Sequence, residues 1–200
     1  MLPRLLLIAA LLVPFATPAL AGTFTLHEAI EFASPGGEPL LLDLRVPDGP
    51  GPHPVIVYLH SGAWIMGDRT GGPARRQATR GYAVASIEYR LAPQHVWPAQ
   101  VEDVKAAIRW LRAHAERFDL DPERVGIFGT SAGAHIGAVA ATANEIPWLE
   151  GSELGNPQFP SRVKAVVDLS TARPICCGSK KTSFPAFLWT ETRGGCRLRC

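Results

Sequence analysis

The fold is decided by one short stretch, Val125-Gly126-Ile127-Phe128-Gly129-Thr130-Ser131-Ala132-Gly133. Its apolar start predicts a strand that is buried on both faces of a sheet. The Ala-rich residues from Ala132 to about Asn144 predict a helix. Between them stands a Gly-x-Ser-x-Gly pattern, typical of a sharp turn that exposes a serine hydroxyl at the carboxyl end of a sheet. The stretch therefore predicts an α/β fold with an exposed serine at this edge.

Ser131 is the candidate catalytic nucleophile of this turn. Gly129 and Gly133 flank it, where a Cβ would collide with neighbouring backbone as the chain reverses from strand to helix. The helix that follows directs free N–H groups and its positive dipole end at the serine. The alternative is a glycine-rich turn with an ordinary helix-capping serine. The strand and helix on either side favour the nucleophile.

Further apolar runs alternate with helical patterns along the chain. Several are rich in β-branched residues or end at turn residues, as expected for the strands of a buried sheet. Strands that alternate with helices indicate a mostly parallel sheet with right-handed crossovers. The predicted strands are Phe24–Phe32 at an edge, Leu40–Val46, Val55–His60, Tyr82–Ile87 and Val163–Leu169.

One helix is predicted between the strands that end at Ile87 and begin at Val125. Its apolar residues recur at helical spacing and are Val101, Val104, Ala107, Ile108 and Leu111. Its charged residues fall largely on the other side and are Glu102, Lys105, Arg109 and Arg112. This pattern predicts an amphipathic helix whose charged side faces away from the core.

The loop His60-Ser61-Gly62-Ala63-Trp64 follows the run that starts at Val55 and is the candidate oxyanion loop. Its small residues let backbone N–H groups approach a developing oxyanion closely. A further donor is the N–H of the residue after the nucleophile, here Ala132. The candidate donors are Ser61, Gly62, Ala63 and Ala132. His60 is interpreted as a structural histidine that hydrogen-bonds the loop, because it precedes Ser131 in the chain.

Several segments stand in a fixed order along the chain. They are His60–Trp64 with Gly67-Asp68, Glu88-Tyr89-Arg90-Leu91-Ala92-Pro93, Trp97-Pro98-Ala99-Gln100, Val101–Leu111, Asp121–Val125 and Gly129–His135. With these segments, the chain from about Leu42 to Leu169 resembles the carboxylesterase branch of the α/β-hydrolases, in particular the bacterial feruloyl-esterase-like group near the hormone-sensitive-lipase family. The resemblance implies helices on both faces of the sheet, ester hydrolysis through Ser131, and a structural ion pair between Arg90 and Asp103.

The oxyanion loop departs from the family pattern, His-Gly-Gly-Gly-Trp. Ser61 and Ala63 replace the first and third glycines. Both residues are small, so the loop is expected to keep its shape if neither position needs a positive φ.

The composition and charge of the chain indicate which classes of partner are expected. Hydrophobic residues make up 46% of the chain, which is enough for a sizeable core. The net charge is only +2, which gives no electrostatic reason to expect nucleic acid as a partner. No metal is predicted, because the adjacent pair Cys176-Cys177 and the spacing from Cys196 to Cys200 match no strong zinc pattern. No other cofactor is predicted. The expected partner is a small-molecule ester substrate.

Residues 1–21 are predicted to be a signal peptide. Arg4 supplies a positive charge, Leu5–Val13 form a short apolar run, and Ala19-Leu20-Ala21 offers a cleavage site. The alternative is a membrane anchor, for which the run is short. The mature protein is expected to be secreted or periplasmic, with no stable membrane anchor after cleavage. Residues 22–170 are then the N-terminal part of a hydrolase domain, and residues 171–200 an atypical tail rich in Cys and Arg.

A general base is the part of the site that the sequence does not supply. His135 is the only histidine after Ser131 and lies just over one helical turn beyond it. The resemblance implies a catalytic acid and a histidine after two further strands. A serine without a base is a poor nucleophile, so the 200-residue chain is expected to be inactive. If the sheet ends at Leu169, its last strand is expected to have an uncovered edge.

Three explanations of the tail stay open. It is out-of-frame translation from about residue 171, part of a genuine short form, or a disulfide-stapled cap. The leading function is hydrolysis of carboxylic esters. The alternative is a non-catalytic α/β-hydrolase-like remnant or binding module. A peptidase shares the fold and the serine turn, and the esterase-like oxyanion loop disfavours it.

Overall fold

A computed structural model describes residues 22–144 and 146–169 and the backbone of one short strand near the C-terminus. The strands are β1 (Phe24–Ala33), β2 (Leu40–Pro47), β3 (His53–Leu59), β4 (Ala83–Ile87), β5 (Leu120–Thr130), β6 (Ala165–Leu169) and β7 (Phe187–Thr190). The α-helices are α1 (Ala99–Ala113) and α2 (Ala132–Thr142). Short 3-10 helices cover Pro35–Gly37, Pro73–Arg80, Pro147–Leu149 and Ser152–Leu154.

The described strands form one sheet in the order β1-β2-β4-β3-β5-β6-β7. Its four middle strands, β4, β3, β5 and β6, run parallel. The strands β1, β2 and β7 pair antiparallel with their neighbours at the two edges. Middle strands are covered on both faces, which explains why β3 and β4 are continuous apolar runs in the sequence. The predicted α/β fold with a mostly parallel sheet is confirmed.

Helices cover both faces of this sheet. The helices α1 and α2 pack against each other and, with alternate residues of β3 from Val55 to Leu59, enclose the main core. The 3-10 helix Pro73–Arg80 covers the other face, where it packs against Tyr58 and Val84. Because side chains alternate along a strand, one buried strand supplies both layers.

The charged side of α1 is buried, and the prediction that it faces away from the core was wrong. Lys105, Arg109 and Arg112 are only 0%, 2% and 7% exposed. Lys105 Nζ donates to the carbonyl of Ala143 at 2.9 Å and to Glu150 at 2.6 Å. The two arginines donate mainly to backbone carbonyls of the segment between α2 and β6. That segment covers the helix, and its carbonyls satisfy the buried donors.

The sheet continues beyond β6 by one short strand. The strand β7 pairs antiparallel with β6, from Ala165 opposite Thr190 to Asp168 opposite Phe187. The condition for an open edge at β6, that the sheet ends there, is therefore not met along these residues. The sequence offered no clear signal for β7, because four residues are too few to show a period.

Two predicted regions lie wholly or largely outside the described residues. The signal peptide at residues 1–21 is one, and the tail at residues 171–200, apart from the backbone of β7, is the other. Among the helices of the described part, none is long and apolar enough to cross a membrane.

Candidate active site

The turn Gly129–Gly133, called the nucleophile turn below, joins the end of β5 to the start of α2. Ser131 stands at the helix cap with φ 50° and ψ −114°, a conformation that L-residues rarely adopt. Its backbone N–H donates to the carbonyl of Leu169 at 3.2 Å, and its carbonyl accepts the N–H of His135 at 3.1 Å. The residue is exposed. The turn therefore presents Ser131 to solvent at the carboxyl edge of the sheet.

The two glycines of the nucleophile turn stand where the neighbouring backbone leaves no space for a Cβ atom. A Cβ at Gly129 would lie 2.5 Å from the Cα of Ala134. A Cβ at Gly133 would lie 2.5 Å from the carbonyl oxygen of His60 and closer still to that of Leu59. Real Cβ atoms do not approach backbone so closely, so a side chain at Gly129 would push α2 away from β5, and one at Gly133 would push α2 away from the end of β3.

The oxyanion loop, His60–Trp64, leaves the end of β3 beside this turn. The contact between Gly133 and the carbonyls at the start of the loop brings the two segments together. Gly62 has φ 133°, and the N–H groups of Ile65 and Met66 both donate to its carbonyl, at 3.0 and 3.1 Å. The structure thus places all the candidate donors, Ser61, Gly62, Ala63 and Ala132, at one edge of the sheet.

Ser61 and Ala63 stand where the family pattern has glycine, and the loop was expected to keep its shape if neither position needs a positive φ. Only Ser61 meets this condition. Ser61 is not among the residues with positive φ, whereas Ala63 has φ 51° and Trp64 has φ 64°. An L-residue in this left-handed region costs about 1–2 kcal/mol relative to the right-handed one. The loop therefore holds a strained alanine where glycine would be relaxed.

His60 is buried and braces the loop. Its Nδ1 lies 2.8 Å from the carbonyl oxygen of Ser61, and its ring stacks on Tyr89 with centroids 4.1 Å apart. Burial lowers the pKa of His60, because the charged imidazolium loses solvation. Among the described residues, no histidine side chain is hydrogen-bonded to Ser131.

Tyr89 is a residue of this site that the sequence analysis did not single out. Its hydroxyl donates to the carbonyl of His60 at 2.9 Å, and the side chain is 3% exposed. Burial raises the pKa of Tyr89, so the hydroxyl stays a donor. The signal was present in the quoted segment around Glu88-Tyr89-Arg90, but nothing in that pattern shows which side chain turns towards the loop.

The ion pair implied between Arg90 and Asp103 is confirmed. The backbone N–H of Arg90 donates to Asp103 Oδ2 at 2.8 Å, and its Nε donates to Oδ1 at 2.9 Å. Arg90 also donates to Glu102 at 2.9 Å. Burial raises the pKa of Asp103, and the neighbouring guanidinium opposes this shift. The pair ties the segment that carries Tyr89 to α1, so its role is structural.

Three aromatic rings line the surface next to Ser131. His135, on the first turn of α2, lies edge-on to Trp64 with centroids 5.5 Å apart. The ring of Trp97 lies 6.2 Å from that of His135, centroid to centroid. The two tryptophans are 42% and 45% exposed. Sequence reasoning missed this cluster, because its members come from three separate segments.

The described residues offer no obvious metal centre. Within them, no group of three or more His, Cys, Asp or Glu side chains is arranged to hold a metal ion. The four cysteines of the tail lie outside the described residues. What the site shows is an exposed serine beside a loop that is rich in positive φ angles.

Known esterases are similar to this chain in sequence and in structure. Esterase LipC of Mycobacterium tuberculosis is 43% identical over 98 residues, which is 47% of this chain and 24% of LipC. Esterase LipQ of the same organism is 40% identical over 138 residues, 66% of this chain and 31% of LipQ. A solved truncated form of a carbohydrate esterase from gut microbiota matches with a TM-score of 0.61 at 30% identity, covering 76% of this chain and 58% of that one.

The fold and these neighbours define the class: the chain has the α/β-hydrolase fold of the esterase type. The BD-FAE family profile matches residues 42–183, and the chain belongs to this family. The match begins at Leu42, as expected, and continues beyond Leu169. Relatives are named as esterases and carboxylic ester hydrolases, so the predicted membership of a carboxylic ester hydrolase family is confirmed. The chain spans about a quarter to a third of the length of LipC and LipQ.

Proposed function

We propose that the chain carries the nucleophile and the oxyanion-binding elements of a carboxylic ester hydrolase, with Ser131 as the nucleophile. The observation that supports this most is the exposed left-handed Ser131 on a turn that packs against a loop of small residues. A strained, glycine-supported strand-to-helix turn is the arrangement that α/β-hydrolases use to present a serine.

The reaction follows from this geometry. The Oγ of Ser131 attacks the ester carbonyl carbon, and its proton passes to a general base. The carbonyl oxygen becomes an oxyanion, which backbone N–H groups of the oxyanion loop and of Ala132 stabilise. The carbon–oxygen bond to the alcohol then breaks, the alcohol takes the proton, and water releases the acid from the acyl-serine. The substrate is a small-molecule ester.

The 200-residue chain is proposed to be nearly inactive by itself. His135 is its only histidine after Ser131, and the ring of His135 packs against Trp64 and Trp97. A serine without a base keeps its proton and reacts slowly. The alternative function is a non-catalytic α/β-hydrolase-like remnant or binding module that keeps the turn and the loop.

Covalent labelling tests the nucleophile. The probe is a fluorophosphonate, applied to a completed chain read past codon 170 in the frame that encodes an acid and then a histidine. Peptide mapping is expected to find the adduct on Ser131, with none in a Ser131→Ala variant and little in the 200-residue chain. An adduct on another residue, or equal labelling of the Ser131→Ala variant, would overturn the proposal. If no frame encodes such residues, the binding module becomes the better proposal.

We also propose that the protein is exported and cleaved after Ala21. The support is the positive charge, apolar run and small-residue site of residues 1–21. N-terminal sequencing of secreted or periplasmic protein is expected to begin at Gly22. An intact Met1 in a membrane fraction would contradict cleavage.

A further inference from the structure

Two neighbouring residues of the oxyanion loop are held in the left-handed region. Ala63 and Trp64 have φ 51° and 64°, and neither is glycine. Such a backbone persists only where surrounding contacts determine it. The contacts that hold Ala63 and Trp64 therefore decide where the N–H groups of the loop point.

Backbone hydrogen bonds hold part of this conformation. The carbonyl of Trp64 accepts the N–H of Ala92 at 2.8 Å, and the carbonyl of Gly62 accepts the N–H groups of Ile65 and Met66. These bonds lie within the loop or tie it to the segment before α1. None of them connects the loop to Ser131.

His135 makes that connection, through its backbone on one side and its ring on the other. Its backbone N–H donates to the carbonyl of Ser131 at 3.1 Å, which fixes His135 to the nucleophile turn. Its ring meets the indole of Trp64 edge-on, with an interplanar angle of 87°. The ring of Trp97 also lies near it, tilted by 47° with centroids 6.2 Å apart. Edge-to-face pairs are the preferred geometry of aromatic rings and add stability beyond the area that they bury.

We propose that His135 is a positioning residue that couples the oxyanion loop to the nucleophile turn. By packing against Trp64, its ring holds Ala63 and Trp64 in their left-handed conformation and so keeps the oxyanion loop in place beside the nucleophile turn. The role is one of shape rather than proton transfer, so another ring of similar size fulfils it. The naming of the loop rests on the proposed function, whereas its coupling to α2 does not.

Hydrogen exchange of the 200-residue chain tests the coupling without any ester. The amides of Ile65 and Met66 report on the loop, because both are hydrogen-bonded to Gly62. In His135→Ala they are expected to exchange about 2- to 10-fold faster, the range that one aromatic pair supports. His135→Phe is expected to restore the slow exchange, and the amides of β3 are expected to be unchanged in both variants.

The matched control is a second histidine–tryptophan pair. The ring of His114 stacks on Trp110 with centroids 4.0 Å apart, at the end of α1. His114→Ala is expected to leave the exchange of Ile65 and Met66 unchanged. Unchanged loop exchange in His135→Ala, or fast exchange in His135→Phe, would overturn the proposal. So would equal acceleration in β3, because the effect would then be general destabilisation. Loss of Ser131 labelling with intact coupling would refute the proposed function alone.

Discussion

The nucleophile turn and the oxyanion loop pack against each other, yet they hold strained backbone in different ways. The turn places Ser131 between two glycines that leave no room for a side chain. The loop places Ala63 and Trp64 in the left-handed region and holds them by contacts from elsewhere. Close packing against neighbouring backbone thus shapes the turn, whereas the loop is held by a hydrogen bond from Tyr89 and a ring contact from α2. Substitutions should therefore act differently in the two segments.

The largest effect is expected at the turn. Gly133→Ala sets a methyl group against the backbone carbonyls of Leu59 and His60, which cannot move without separating α2 from β3. The free energy of unfolding is expected to fall by about 3 kcal/mol, as for other overpacked sites. Urea denaturation measures it. Gly71→Ala is the control, because a Cβ there meets nothing within 4 Å and its effect should stay within about 0.5 kcal/mol.

A smaller effect is expected where the loop is braced from outside. Tyr89→Phe keeps the ring stacked on His60 but removes the hydroxyl that donates to the His60 carbonyl. One hydrogen bond contributes about 1 kcal/mol, so the free energy of unfolding should fall by that amount. Tyr82→Phe is the matched control, since Tyr82 is 41% exposed. Equal losses in the two variants would contradict the bracing role of Tyr89.

Substitution of glycine at Ala63 and at Ser61 is expected to change the stability in opposite directions. Ala63→Gly relieves a left-handed alanine, a gain of about 1–2 kcal/mol, against about 0.5–1 kcal/mol of lost backbone entropy. The net result is a stabilisation of about 0.5 kcal/mol. Ser61→Gly gains nothing and should destabilise by about 0.5–1 kcal/mol. Thermal unfolding of both variants measures the difference, and a shift of the same sign in both would contradict the assigned conformations.

The smallest expected effect is the pH dependence of the loop. Burial lowers the pKa of His60 below its ordinary value of 6.5, so the folded state favours the neutral ring. Stability is therefore greatest above that value and falls as the pH drops and the unfolded chain binds a proton. Urea denaturation at about pH 8 and about pH 5 should show a smaller loss for His60→Phe than for the original chain. An unchanged loss would assign the effect to other groups.

The difference between the turn and the loop also explains which parts of the site could be predicted from the sequence. The nucleophile turn was predictable, because a turn without space must use glycine and glycine is visible in the sequence. The loop was only partly predictable. A positive φ at Ala63 leaves no mark on the sequence, and Tyr89 acts through its orientation. The condition that neither replaced position needs a positive φ therefore failed at Ala63.

In the rest of the fold, too, the features that could not be predicted depend on contacts between distant segments. Buried strands were found from their apolar runs, because burial on both faces requires them. The side of α1 that carries Lys105, Arg109 and Arg112 resembled a solvated face, because the sequence does not show that backbone carbonyls from a later segment would cover it. The pairing of β7 with β6 was missed because it is short and distant in the chain.

Ester turnover tests most directly whether Ser131 is a nucleophile whose general base lies outside these 200 residues. Four proteins are compared with p-nitrophenyl acetate: the chain, the completed chain, and a Ser131→Ala variant of each. The chain is expected to match its own variant closely, because losing the base of a serine hydrolase costs about as much as losing the serine, on the order of a millionfold in one protease. The completed chain is expected to turn over the ester readily, and Ser131→Ala to abolish that turnover. Clear turnover by the 200-residue chain that depends on Ser131 would contradict this proposal, because a base would then lie within these residues.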